Sequence, residues 1–349
     1  MSFEEQPTRS RTKKKKRTGR VVLLSILSLV VIAALVAGGY AWNLGRTFND
    51  NSQKLENAFP AEETRPEVKK ESENALNILL LGSDTRAQRE SDEQNDDFAT
   101  LPNGGRSDTM MLVHIPSDRS GVFVTSIMRD TWLDLPGIGE AKINRAFANG
   151  GVAKAVETLE GLFGVRIDHV ASVDFEGFKG LTDAVGGVTI NNPIAFRPVH
   201  NKSFYFPEGV QKLNGEEALA FVRERKAFPG SDYQRVKNQQ LFVKALLGQI
   251  LSKDTLTNPV KIQNVVSEFA PFVAVDDTLD SGKVVEIASS MFNVSSGDME
   301  FFTLPNKGPG RSADGQSIVI PDMDTINKFG EALQNDTVDE FVASTDLSQ

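Results

Sequence analysis

From Val21 to Ala41 the chain runs 21 residues without one charged side chain, and no other stretch limits its architecture as tightly. As a helix rising ~1.5 Å per residue, it spans roughly the 30 Å hydrocarbon layer of a bilayer. It is therefore expected to cross a membrane and stand outside any globular core. The preceding residues 1–20 hold eight Lys or Arg against Glu4 and Glu5, and such an excess of cations marks the cytoplasmic flank of a span. The expected topology is a single-pass signal anchor in the cell membrane: a basic cytoplasmic tail over 1–20, the anchor over 21–41, and the C-terminal domain extracytoplasmic. A cleaved signal peptide is the competing reading; the apolar stretch is long for one, and no clear small-x-small cleavage site follows it.

Charge assigns the basic run to topology. Removing the tail's +6 from the formal net charge of −9 leaves −15 on the remainder, which repels a nucleic-acid backbone. No nucleic-acid partner is expected. The absence of cysteine excludes disulfides, a thiol nucleophile and a thiolate metal site, so stability must come from packing. Residues 42–73 are polar, contain Pro60 and Pro66, and read as a partly extended stalk. One folded domain over 74–340 and a disordered end over 341–349 complete the expected organisation.

Within that domain, the apolar run Leu76–Leu81, closed by Gly82, reads as a buried strand. Thr109–Ile115 and Val122–Met128 read as a hairpin across the turn-rich 116–121. Asp108 and Arg129 then share the hairpin's open end, and Asp84 reaches the same edge if its strand runs parallel to the second arm. Further strands are expected at 169–173, 188–190 and 300–304, and helices at 152–163, 175–184, 215–222, 231–252, 259–269, 283–292 and 322–333. The alternation predicts an α/β fold.

The helix over 231–252, with Ser231 as its predicted N-cap, puts Arg235, Gln239, Val243, Leu246 and Ile250 on one face. An arginine on an apolar face needs an anionic partner, a carboxylate or a phosphate. In an extended Arg223-Glu224-Arg225 the two guanidinium groups lie side by side, with few acids nearby in sequence, which suits a polyphosphate. Asp84 and Asp108, beside Arg106, offer the hard oxygen ligands that suit Mg²⁺. Taken singly, these residues have plainer readings: turn-capping aspartates, an Arg129–Asp130 ion pair, a solvated Lys142, and a turn at Gly150-Gly151. The three histidines lack metal-site spacing, and neither a Gly-x-Ser-x-Gly elbow nor a Walker A loop occurs.

Taken together, Asn77-Ile78-Leu79-Leu80-Leu81-Gly82-Ser83-Asp84, Gly105-Arg106-Ser107-Asp108-Thr109, Ser126-Ile127-Met128-Arg129-Asp130, Lys142-Ile143-Asn144, Gly150-Gly151, Phe221-Val222-Arg223-Glu224-Arg225 and Asp232 to Gln240 form an ordered set. In this set the chain resembles the LytR-CpsA-Psr family of cell-wall glycopolymer ligases. The resemblance implies a three-layer α/β/α sandwich with a central mixed sheet. It implies Mg-dependent transfer of a glycopolymer phosphate (teichoic acid, arabinogalactan or capsular type) from a polyprenyl pyrophosphate carrier to a peptidoglycan muramic-acid hydroxyl. By matching position, Arg106, Arg129, Lys142, Arg223, Arg225, Arg235 and Gln239 would grip the pyrophosphate and Asp84 and Asp108 the metal. The catalytic set is Asp84, Asp108, Arg129, Arg223 and Arg225, with the general base left open. The acidic stretch Gln88–Asp97 departs from the pattern and bears on acceptor or polymer selectivity. Competing functions are a polyprenyl-pyrophosphate hydrolase at the same site and a non-catalytic envelope regulatory or binding protein.

Overall fold

The computed structural model describes residues 38–84 and 106–347. The expected basic tail, most of the expected anchor and the acidic 88–97 stretch lie outside these residues. The chain divides into two compact units, Met1–Gly45 and Arg46–Gln349. Residues 38–51 are helical. No helix among the described residues is long and apolar enough to cross a membrane.

Strands β1 (Gln53–Lys54), β2 (Leu76–Asp84), β3 (Arg106–Ile115), β4 (Val122–Ile127), β7 (His169–Asp174), β10 (Val273–Val275) and β11 (Met299–Thr303) make one seven-stranded sheet, ordered β1-β10-β7-β2-β3-β4-β11. The sheet is mixed: β7 and β2 are parallel, as are β4 and β11, whereas β3 is antiparallel to both its neighbours. The C-terminal ends of β2, β4, β7 and β11 and the N-terminal end of β3 therefore share one edge. Three short two-stranded ribbons lie outside the sheet: β5 (Trp132–Leu135) with β6 (Gly139–Lys142), β8 (Val188–Asn192) with β9 (Gly209–Leu213), and β12 (Asn306–Arg311) with β13 (Ser317–Pro321).

Both faces of the sheet are apolar because its central strands alternate with a period of two while remaining apolar throughout. Leu79, Leu81, Met110 and Leu112 join one cluster with Val156, Leu159 and Phe163 of α1 (Asn144–Phe163), Phe329 of α7 (Met323–Asn335) and Phe341 of α8 (Val338–Ser344). Ile78, Leu80, Met111 and Val113 join another with Val243 and Leu247 of α4 (Ser231–Ile250) and Ile287 of α6 (Ser281–Ser290). The result is the expected α/β/α layering. A third, phenylalanine-rich cluster packs α4 against α2 (Phe175–Ala184), α3 (Gly215–Arg223), α5 (Pro259–Phe269) and the β8–β9 ribbon.

Four expectations change. The stretch read as stalk is largely integrated: β1 pairs with β10, Leu55 and Ala58 are buried in the first cluster, and Arg65 bonds the buried Glu160 at 2.6 Å. Its scattered apolar residues are few but well placed, which overall polarity hides. The end read as disordered continues as α8, anchored by buried Val338 and Phe341, and only Thr345–Leu347 of the described residues follow it. Helix α1 begins at Asn144, earlier than expected, and is kinked at Gly150 and Gly151, the latter with φ of 62°. Finally, the N-cap of α4 is Gly230, not Ser231, and it makes no side-chain cap.

Candidate anion-binding site

The shared sheet edge collects the residues singled out in the sequence. On β2 and β3, Asp84 pairs with Arg106 and Ser83 with Ser107, while Gly82 pairs with Thr109. Asp108 is thus the extra residue of a bulge, a device that interrupts a ladder at strand ends. The backbones of Asp84, Arg106 and Asp108 therefore meet at the ends of adjacent strands. Gly82 permits the close approach of the two strands, since a Cβ there would lie 3.1 Å from the Cβ of Thr109.

Thr109 links this edge to the helices. Gln239 of α4 donates from Nε2 to Thr109 Oγ1 at 3.1 Å and to the Val222 carbonyl of α3 at 3.4 Å. Its neighbour Gln240 reaches Ser126 Oγ of β4 at 3.0 Å. One turn earlier, Arg235 is only 7% exposed, as costly a place for an unpaired cation as the apolar helix face predicts. Its Nη2 lies 2.8 Å from Asp232 Oδ1, and Arg225 Nε approaches the same oxygen at 3.8 Å. Arg223, the last residue of α3, sets its guanidinium 4.3 Å from the centroid of Phe175, the first residue after β7.

On the neighbouring side, Arg129 follows β4, with its Nε 3.8 Å from Asp130 Oδ2, and Lys142 Nζ lies 3.2 Å from Asp130 Oδ1. Backbone bonds from Ile143 N to Thr131 O and from Asn144 N to Arg129 O hold the Lys142 strand against this turn. Packing of Met128 on Val236 and Tyr233 joins the turn to α4, and the Tyr233 hydroxyl donates to Asn306 Oδ1 of β12 at 2.8 Å.

The cations of distant segments thus gather at one end of the sheet, but the expectation of few nearby acids is corrected. Asp232 and Asp130 are each shared between two cations, Arg225 and Arg235 for the one and Arg129 and Lys142 for the other. Asp232 was legible as an acid three residues before Arg235 on one helix, the spacing of neighbouring side chains. Asp130 was read only as the partner of Arg129; its second cation, Lys142, arrives through the β5–β6 ribbon, which the sequence does not announce. Asp174 was missed: it stands beside Ser83 in register, caps α2 through Gly177 N at 2.7 Å, and burial pushes its carboxyl above the usual range despite that bond. Elsewhere, a groove of about 260 Å³ between Pro60, Ala61, Thr64 and α1 is lined by Gly150, which stands apart from these charged residues.

A mixed sheet with helices on both faces, edged by guanidinium groups and aspartates, defines an α/β protein. The chain matches the LytR_cpsA_psr family over residues 43–335 and belongs to it. It is 30% identical over 292 residues to the cell wall biosynthesis protein LcpA of Corynebacterium glutamicum, covering 74% of this chain and 55% of that one. It is 33% identical over 258 residues to the polyisoprenyl-teichoic acid--peptidoglycan teichoic acid transferase TagV of Bacillus subtilis, covering 71% of this chain and 62% of that one. The chain thus spans less than two thirds of the length of these two relatives. The crystal structure of B. subtilis TagV superposes with a TM-score of 0.62 at 26% identity, covering 76% of this chain and 97% of that one.

Proposed function

We propose that the chain is a phosphotransferase that moves a glycopolymer phosphate from a polyprenyl pyrophosphate carrier to a muramic-acid hydroxyl of peptidoglycan. The observation that carries this reading is the convergence of Arg225, Arg235 and Gln239 around Asp232 and Thr109, beside Arg223 and the backbone edge of Asp84 and Asp108. The transferase named among its relatives supports it.

In this reading the hydroxyl oxygen attacks the phosphorus that bears the polymer. The bond from that phosphorus to the bridging oxygen breaks, polyprenyl phosphate leaves with that oxygen, and the hydroxyl proton passes to solvent water. Phosphoryl transfer needs alignment and charge neutralisation more than covalent help from the protein. Arg223, Arg225, Arg235 and Gln239 hold the diphosphate from the helix side, and Arg106, Arg129 and Lys142 from the strand side. The carboxylates of Asp130 and Asp232 keep Arg129, Lys142, Arg225 and Arg235 ordered before substrate arrives. Mg²⁺ fits here by donor chemistry, with Asp84 and Asp108 at the ends of adjacent strands as ligands; when bound, it would neutralise charge on the diphosphate oxygens. The segment over 21–41 would anchor the chain, with residues 1–20 cytoplasmic and the domain outside.

Mass spectrometry of lipid co-purifying with the full chain tests this reading: a polyprenyl pyrophosphate species is expected. A lipid with no phosphate, or none enriched over an Arg223→Ala/Arg225→Ala control, would contradict it. Acceptor dependence separates transfer from hydrolysis, since water as acceptor would release polyprenyl phosphate without glycan attachment.

A further inference from the structure

The β8–β9 ribbon carries a feature that the diphosphate does not use. Beyond β8, Phe196 and Phe206 pair backbone to backbone at 2.9 and 3.0 Å, and their rings enter the phenylalanine cluster, with Phe196 5.4 Å from Phe221. This pairing projects residues 197–205 as a tip. Its exposed side chains include Arg197, His200, Lys202 and Tyr205, and no acid occurs from Pro193 to Pro207. In a chain of net charge −9, that is a local reversal of sign. The Arg197 guanidinium stacks 4.8 Å from the Tyr205 ring centroid, and its Nη1 reaches the Lys202 carbonyl at 3.5 Å, so the cations stand on a braced surface.

The tip is fastened to the anion site by one buried carboxylate. Glu224, between Arg223 and Arg225, is 2% exposed. Its Oε2 accepts from Val199 N of the tip at 2.7 Å, and its Oε1 accepts from Arg225 N at 2.9 Å and Ala227 N at 2.7 Å. A carboxylate bonded to several backbone N–H groups is a strong and directional tie. The tip's backbone is therefore held in fixed relation to the Arg225 backbone.

We propose that the 197–205 tip is a second binding surface, continuous with the diphosphate site, that takes the repeating phosphates of an anionic glycopolymer, with Glu224 as the positioning residue that holds it there. The inference rests on the transfer reading and narrows it to a phosphate-bearing polymer. A neutral glycan would draw nothing from Arg197 and Lys202, whereas a polyanion gains from each cation it meets at fixed spacing.

The test uses the full chain in nanodiscs of zwitterionic lipid and soluble poly(glycerol phosphate), with dextran as the neutral probe. The parent chain should bind the polyanion at least tenfold more tightly than dextran, and more weakly at high salt. Arg197→Ala/Lys202→Ala should lose about tenfold, and Tyr205→Ala several-fold, with dextran binding unchanged. Glu224→Gln should weaken polyanion binding and speed tryptic cleavage after Lys202, with Tm moved by only a few degrees. Equal binding of the two polymers, or variants that bind the polyanion like the parent chain, overturns the proposal. So does a fluorophore at Tyr205→Cys that shifts on anionic nanodiscs while the Arg197 and Lys202 substitutions leave polymer binding intact, which makes the tip a membrane contact. Polyanion binding without any transfer retains this inference and removes the transfer reading.

Discussion

Arg235 shows what a single position can and cannot reveal. Its place one turn before Gln239, on the apolar side of a helix, was legible from the 3.6-residue period, and so was its need for an anion. The same period offered Asp232, three residues earlier, as the resting anion, a partner the sequence reading did not pick out. Arg235→Ala should lower transfer by about 100-fold or more in kcat/KM, the scale of losing a charge-stabilising donor, with Tm within a few degrees of the parent chain. The Asp232 charge is then still met by Arg225 at 3.8 Å. A collapse in Tm would instead make Arg235 a structural cation. The triplet read as extended is so only from Glu224 (φ −67°, ψ 130°), because Arg223 still belongs to α3, and the Glu224 partner Val199 lies 25 residues away in the chain, beyond any local pattern.

Among elements, the long periodic ones were readable and the short ribbons were not. Strand β4 and the helices α2, α3 and α5 lie within a residue of their expected bounds, because burial and strong terminal signals agree there, whereas β2 and β3 keep one expected bound and run three residues further at the other, to Asp84 and from Arg106. Helix α3 opens with a full capping box, in which Asn214 accepts from Glu217 N and Glu217 bonds the Asn214 backbone. Asn214→Ala should cost about 1 kcal/mol in denaturant unfolding while leaving Arg223, at the far end of the helix, able to support activity. The β12–β13 ribbon escaped because Asn306–Arg311 alternates without an apolar residue of its own and is held by neighbours: Val319 N donates to the Asp130 carbonyl at 2.9 Å, and Tyr233 holds Asn306. No propensity argument predicts a strand from such a sequence.

For the folded unit as a whole, stability draws on segments that composition assigns to a stalk. Arg65 is held to Glu160 by charge-assisted bonds at 2.6 and 3.0 Å, and Glu160 also accepts from Ile167 N. Arg65→Ala strands a buried carboxylate and should cost about 3–5 kcal/mol, read by urea unfolding; no loss would mean the 53–73 segment is only loosely applied. Acid sensitivity has a similar origin. Burial works to raise the Asp276 carboxyl, but hydrogen bonds from His169, Thr278 and Val170 N outweigh it and hold the pKa at about 2, below the ordinary 3.8. A depressed folded-state pKa gives stability that is fully present above about pH 4 and lost as pH falls toward 2, on the order of 2 kcal/mol. Unfolding measured from pH 6 to pH 2 should show that slope, flattened in Asp276→Asn.

The central claim is that guanidinium groups from separate segments assemble one diphosphate site at the sheet edge. Titration of the full chain with a short-chain polyprenyl pyrophosphate and with the matching monophosphate tests it most directly. The pyrophosphate should bind at least tenfold more tightly, and Arg223→Ala, Arg225→Ala and Arg235→Ala should each erase most of that preference. Equal affinity for the two lipids, or a preference untouched by all three substitutions, would contradict the account.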